Sequence, residues 1–257
     1  MSRTISLSIL SLTVVTLALL PPSAWADDSP PLPAAARVEG VVGYPQERNL
    51  SCESRSAADL GAYWGAEFTE AAFLRRLPRS DNPHRGFLGD VDMPPGSLPP
   101  IGYGVYAEPI GATLRSFGLA AEAHRPFELN ALKRELAAGR PVIVWATYEM
   151  QMPGVDTWVS WDGETTTIVR WQHTFIAVAY DEQGVSLIDA YDAQTRTFSY
   201  DAFLPAWDQL GRMAVTVSGP LTRPSTRPWR MTSHRGHPQF VVDGRGLASH
   251  AWRVGPQ

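Results

Sequence analysis

The chain has 257 residues, 44% of them hydrophobic and 19% charged, with a formal net charge of −4. This is ordinary globular composition with enough residues for one sizeable core, and neither the charge nor any motif points to a nucleic-acid partner. The single cysteine, Cys52, excludes an internal disulfide framework.

Residues 1–26 read as an export signal. Arg3 is followed by the apolar run "LSILSLTVVTLALL", a Pro-Pro break, and Ala24-x-Ala26 as a small-residue cleavage pattern. The run falls short of the ~20 residues a spanning helix needs. The mature chain, expected to begin near Asp27, therefore carries no membrane span and is expected in the periplasm, the cell envelope or the medium. A lipid anchor would put a cysteine at the cleavage point, and Cys52 lies far downstream of it. Residues 27–40, rich in Pro and Ala, read as a linker.

"SCESRSAADLGAYWGA" carries Ala57, Leu60, Tyr63 and Trp64 at helical spacing, with Ser51 as N-cap and Glu53 in the first turn, where the helix dipole favours it. Cys52 is thereby expected at a helix N-terminus. A second short helix begins near Thr69. The stretch from Pro78 to Pro109 is dense in Pro, Gly, Asp and Asn, and a loop of that length is usually functional or disordered. Helices follow over 107–117 and 127–138, the second stopped by Gly139 and Pro141. Then the pattern changes to strands. "PVIVWATY", "HTFIAVAYD" and "GVSLIDAY" are continuous apolar runs, the last two joined by a turn at Asp181 to Gly184. "RTFSY" and "MAVTVS" are further strands, flanking a helix in "YDAFLPAWDQLG". Helices first and strands second predict an α+β fold with a mainly antiparallel sheet. Residues 219–257 hold six Arg against one Asp, and three of the six His. They read as a basic extension, for docking or simply wrapped on the domain.

A lone thiol in an oxidising compartment is buried and inert, paired with another molecule, or kept for its chemistry. A helix N-terminus and a nearby imidazolium both lower a thiol pKa. Of the histidines within the domain, His84 lies in the long loop and His124 in a short connection, where a solvated ring is ordinary. His173 opens an apolar strand, where a polar ring needs a partner or lies at the strand's open end. The third member of such a set is an acid or amide that holds the imidazole. Asp189 closes an apolar run, a costly place for an unpaired carboxylate. A strict tight-turn register, however, places His173 nearer Asp192, so register alone leaves both carboxylates open.

Gln46 stands six positions before Cys52 in "QERNLSC", as in papain-like cysteine peptidases, and "HTFIAVAYD" followed by "LIDA" resembles their C39-like branch. The resemblance spans roughly 41–218 and includes the loop "RSDNPHRGFLGDVDMPPGSLPPIGYGVYAEP". It implies a papain-like fold, with N-terminal helices packed on a mainly antiparallel sheet. It also implies Cys52 as nucleophile, His173 as base and acid, Asp189 orienting His173, and Gln46 giving an amide N–H to the oxyanion hole. The expected substrate is a peptide or protein, acted on by a monomer without metal or cofactor. The sequence departs from its relatives in having Ala190 after Asp189, where proline is common. No transporter is attached, so the double-glycine leader specificity of bacteriocin processors is not carried over.

Two other readings share these residues. A transglutaminase-like acyltransferase uses the same Cys-His-Asp set but passes the acyl group to an amine, and the sequence does not separate it from a peptidase. A binding module on an inactive papain-like scaffold is disfavoured by the intact set Gln46, Cys52, His173 and Asp189. Weaker signals are Asp90 and Asp92, read as solvated or capping rather than calcium ligands. Trp158, Trp161 and Trp171 line a peptide cleft or pack a hairpin. His234 and His237 read as plain surface.

Overall fold

The computed structural model describes residues 30–221; residues 1–26, read from sequence as an export signal, and nearly all of the basic extension lie outside them. In chain order the elements are β1 (Ala36–Arg37), α1 (Cys52–Tyr63), α2 (Glu70–Arg76), β2 (Leu88–Gly89), β3 (Gly102–Gly104), α3 (Ala107–Ser116) and β4 (Leu119–His124). There follow α4 (Leu129–Ala137), β5 (Val142–Thr147), β6 (Asp156–Val159), β7 (Thr165–Ile168), β8 (Gln172–Tyr180), β9 (Gly184–Asp189), β10 (Thr195–Ser199), α5 (Tyr200–Gln209) and β11 (Ala214–Pro220).

The main sheet runs β10-β9-β8-β5-β11-β4, with β1 added beside β8, and every pairing in it is antiparallel. The continuous apolar runs of β5 and β8 follow from burial on both faces. Ile143, Trp145, Ile176 and Val215 join a core with Ala57 and Leu60 of α1 and Ile110 and Leu114 of α3. Their neighbours Val142, Val144, Phe175 and Ala177 join a second core with Leu132 and Leu136 of α4 and Phe203 and Trp207 of α5. Successive strand residues point to opposite faces, so the sheet is sandwiched, with α1 and α3 on one side and α4 and α5 on the other. The expected α+β fold with a mainly antiparallel sheet is what the chain adopts. The N-terminal helices α1 and α3 pack on one face of that sheet, and α4 and α5 cover the other.

Several local expectations change. β4, read as a connection, is a full strand, and His124 on it bonds Thr216 (Nε2 to Oγ1, 2.8 Å). Residues 33–38 of the segment read as a linker lie against β8. Val38 is buried, its N–H donates to the Val178 carbonyl (2.7 Å), and Pro33 accepts from the Tyr180 hydroxyl (2.9 Å). The loop between α2 and α3 holds the short β2–β3 pair and the buried Asn82, whose Oδ1 accepts the His84 N–H. Its Asp81 accepts from Trp158 Nε1 and the Trp161 N–H, and Arg85 pairs with Asp162 and Glu164, tying this loop to the β6–β7 hairpin.

Helix α1 differs from an ordinary amphipathic helix. Glu53, Ser54, Ser56 and Asp59 are buried along with Ala57, Ala58 and Leu60. Such polar burial is costly without partners, which Glu53, Ser56 and Asp59 have, while the Ser54 hydroxyl has none among the described residues. Those partners lead directly to the site.

Candidate active site

Cys52 is the first residue of α1, as expected, and is buried. Ser51 stands at the N-cap position, but its hydroxyl does not cap the helix. It bonds the Arg48 carbonyl (3.0 Å) and the Glu70 carboxylate instead. Glu70 also receives the Glu47 N–H on both oxygens (3.0 Å each) and lies 3.6 Å from Arg55. Asp59 accepts the Tyr44 N–H (3.0 Å) and Arg55 (2.6 Å). The polar groups of α1 and α2 thus moor the 44–51 loop, which carries Gln46, alongside the thiol.

Burial pushes the Asp59 carboxyl up to about 6, with Arg55 pulling against it and losing. Its unfolded value is near 3.9. The folded form therefore holds this proton more tightly, and the associated stability, present below the unfolded value, is lost as pH rises through about 6. Asp59→Asn is expected to flatten the dependence of Tm on pH between about 4 and 6, a window worth at most ~3 kcal/mol. Thermal melts of both proteins across that range check this. Parallel curves would remove Asp59 as the titrating group.

His173 opens the buried part of β8. Its Nε2 lies 2.7 Å from Asp189 Oδ1, and both residues are buried. Tyr148 and Phe175 stand edge-on to the imidazole, with ring centroids 5.6 and 4.8 Å away. The Asp189 juxtaposition depends on an irregularity. At the turn, Tyr180 pairs with Val185 and Ala179 with Ser186; beyond it Ala177 pairs with Leu187 and Phe175 with Asp189, so Val178 is an extra residue on β8. Without this bulge Asp189 would stand opposite Ile176 and face away from His173, because a one-residue slip flips a strand's side chains. With it, Asp189 sits across from Phe175, diagonal to His173 on the same face, within reach of a long side chain. Asp192, the alternative, accepts the Gln194 N–H (3.0 Å) and pairs with Arg196 (2.5 Å), which holds its carboxyl below the usual range. Arg196 also approaches Asp189 Oδ2 (3.3 Å).

Gln46, Cys52 and His173 line one cavity of about 160 Å³, with Tyr148, Trp171 and Tyr191 as its aromatic wall. Trp171 takes φ +64, and its ring lies where any side chain at Gly96 would collide with it. Of the three tryptophans named from sequence, only Trp171 reaches the cavity. Trp158 packs on the core and Trp161 is 90% exposed. Asp90 caps the Asp92 N–H, and Asp92 pairs with Arg48. His84 bonds Glu108 (2.9 Å), away from the cavity.

Two features differ from expectation. Both hydrogens of the Gln46 amide are engaged within its own loop, by the carbonyls of Arg48 (2.7 Å) and Asn49 (2.9 Å), while its Oε1 is buried and unpartnered. The thiol is pushed well above its ordinary range, not below it. Burial is the main cause and the Glu53 carboxylate the second, and hydrogen bonds from Thr174 oppose them. Glu53 and Gln172 were not named from sequence as site residues. Gln172 lines the cavity, and its Nε2 reaches Glu53 Oε1 and the Tyr103 carbonyl, each at 2.9 Å.

The model of the Peptidase_C39 like family matches residues 38–215. This chain belongs to that family. The C39-like chain is 27% identical over 177 residues to the uncharacterized protein YvpB of Bacillus subtilis (strain 168), covering 65% of this chain and 68% of that one. Its fold is similar to that of a candidate C39-like peptidase from Bacillus anthracis, with TM-score 0.63 and 21% identity, over 71% of this chain and 96% of the other. Membership of the C39-like family supports a peptidase. Among the described residues no helix is long and apolar enough to cross a membrane.

Proposed function

We propose that this chain is a cysteine peptidase that hydrolyses amide bonds in peptides or proteins. The observation that carries this reading is that His173, held by Asp189 at 2.7 Å, lines the same cavity as Cys52. With Nε2 turned to the carboxylate, the remaining ring nitrogen, Nδ1, is the one to exchange a proton with the thiol. Cys52 Sγ attacks the carbonyl carbon as its proton passes to His173. The C–N bond then breaks as the imidazolium protonates the leaving amine. Water, deprotonated by His173, cleaves the thioester and frees the acid. Asp189 keeps the ring oriented and balances the imidazolium. The Cys52 N–H, at the first position of α1, has no acceptor within the helix and meets the oxyanion. Gln46 joins it by giving up one of its loop bonds. The export pattern of residues 1–26 supports action in the periplasm, the envelope or the medium.

The test is incubation with a peptide library, with and without an added amine, and product identification by mass. Carboxylic acid products in both arms are expected, and amine adducts dominating the second arm would make the chain an acyltransferase. Gln46→Ala is expected to lower kcat about 10²-fold, the scale of one oxyanion donor, with little change in KM. An unchanged kcat would confine Gln46 to bracing its loop.

A further inference from the structure

Next to the nucleophile lies a carboxylate that the hydrolytic cycle above does not use. Glu53 is fully buried, and each of its oxygens has a role. Oε1 accepts the Val105 N–H and Gln172 Nε2, both at 2.9 Å, which joins α1 to the β3–α3 junction and to the first residue of β8. Oε2 accepts from Cys52 Sγ at 3.3 Å. Gly104 takes φ +128, and a Cβ there would stand 2.3 Å from Glu53 Oε1. The carboxylate is therefore seated directly against backbone and has little room to swing away. Three N–H or S–H donors converge on one group, and among the described residues no arginine or lysine bonds it.

We propose that Glu53 is a positioning residue that keeps Cys52 as a thiol in the free enzyme, its Sγ–H donated to Oε2, so that the proton leaves only as the sulfur–carbon bond forms. This rests on the peptidase reading for its catalytic meaning, but the state of the thiol is measurable without any substrate. The resting site then holds a thiol rather than a preformed thiolate. Attack moves the Sγ proton to His173 Nδ1 in the same step that joins sulfur to the acyl carbon, and the charge created is the imidazolium facing Asp189. The other titratable groups around the pair are His173 on β8, Tyr148 after β5, and Tyr103 and Tyr106 from the β3–α3 segment. The last two hydroxyls bond each other (2.6 Å) and burial keeps them protonated. Burial raises both members of the pair, and the thiol, starting far higher, retains the shared proton.

Glu53→Gln tests this. The amide can keep Oε1 on Val105 and Gln172 while turning an N–H toward sulfur, which favours the thiolate. Alkylation of Cys52 by iodoacetamide at pH 7 should become about 10-fold faster or more, with the pH profile moved down by a unit or more. Superimposable profiles in a folded variant would overturn the proposal. Should the variant fail to fold, thiolate absorbance of the unaltered protein decides, with Cys52→Ser as the blank. A midpoint above the free-thiol value of about 8.5 supports the proposal, and one below about 7 overturns it. A shifted profile in a protein that cleaves no peptide would sink the peptidase reading and leave this one standing.

Discussion

Cys52→Ala is expected to cut peptide hydrolysis by ~10⁴-fold or more, the scale of losing a nucleophile from an interdependent set. The fold should survive, because Cys52 sits at the first position of α1 and contributes one side chain to a helix held by many other contacts. The exchange removes one sulfur from a site rimmed by Glu53 and Thr174, not from the centre of either apolar core. Measured turnover and a far-UV melt separate the two effects. Turnover close to that of the unaltered protein, with the melt unchanged, would show that the cysteine is only structural. Because the chain holds no other cysteine, the same variant should also lose all labelling by thiol reagents.

Asp189→Ala is expected to lower kcat by roughly 10²–10⁴-fold, against a few-fold for Asp192→Ala. Asp189 Oδ1 holds His173 Nε2 at 2.7 Å and also receives the Tyr191 N–H at 2.8 Å, so its carboxylate is fixed from behind before it fixes the ring. Without it the imidazole keeps its edge contacts with Tyr148 and Phe175 but loses the bond that sets its tautomer. Asp192 pairs with Arg196 at the surface, where an ion pair is worth little. Among the described residues Arg196 then keeps Asp189 Oδ2, at 3.3 Å, as its carboxylate neighbour, so a small loss is expected through that route. Steady-state kinetics of both variants check the ordering, and the reverse ordering would assign the orienting role to Asp192.

Apolar continuity made β5, β8 and β9 legible, since a strand buried on both faces has no polar positions to hide it. β4 was not, because "LAAEAH" is short, alanine-rich and carries an exposed glutamate, so tertiary pairing with β11 decides it rather than local preference. The candidate residues His173 and Asp189 were visible as polar groups at the ends of apolar runs. Their meeting was implied only by the family resemblance, since register alone left Asp192 open and a bulge at Val178 depends on how two strands twist together. For Gln46 the six-residue spacing to Cys52 gave the place in the cavity but not where the amide points, which the closing of the 44–51 loop on itself decides. Glu53 was read for its effect on the helix dipole. In the structure its Oε2 also accepts from Cys52 Sγ at 3.3 Å, and burial first and the Glu53 charge second raise the thiol.

The buried polar side chains of α1 imply an uneven energy landscape. Arg55, Asp59 and Glu70 form a desolvated ion cluster, and replacing such a cluster with well-packed apolar residues is often neutral or stabilising by about 1–4 kcal/mol. A chain of this fold freed from chemistry would gain heat resistance by greasing that helix, and the loop bearing Gln46 would come adrift as it did so. Thermostabilising selections run without an activity screen should therefore converge on α1 and return hardy, silent proteins.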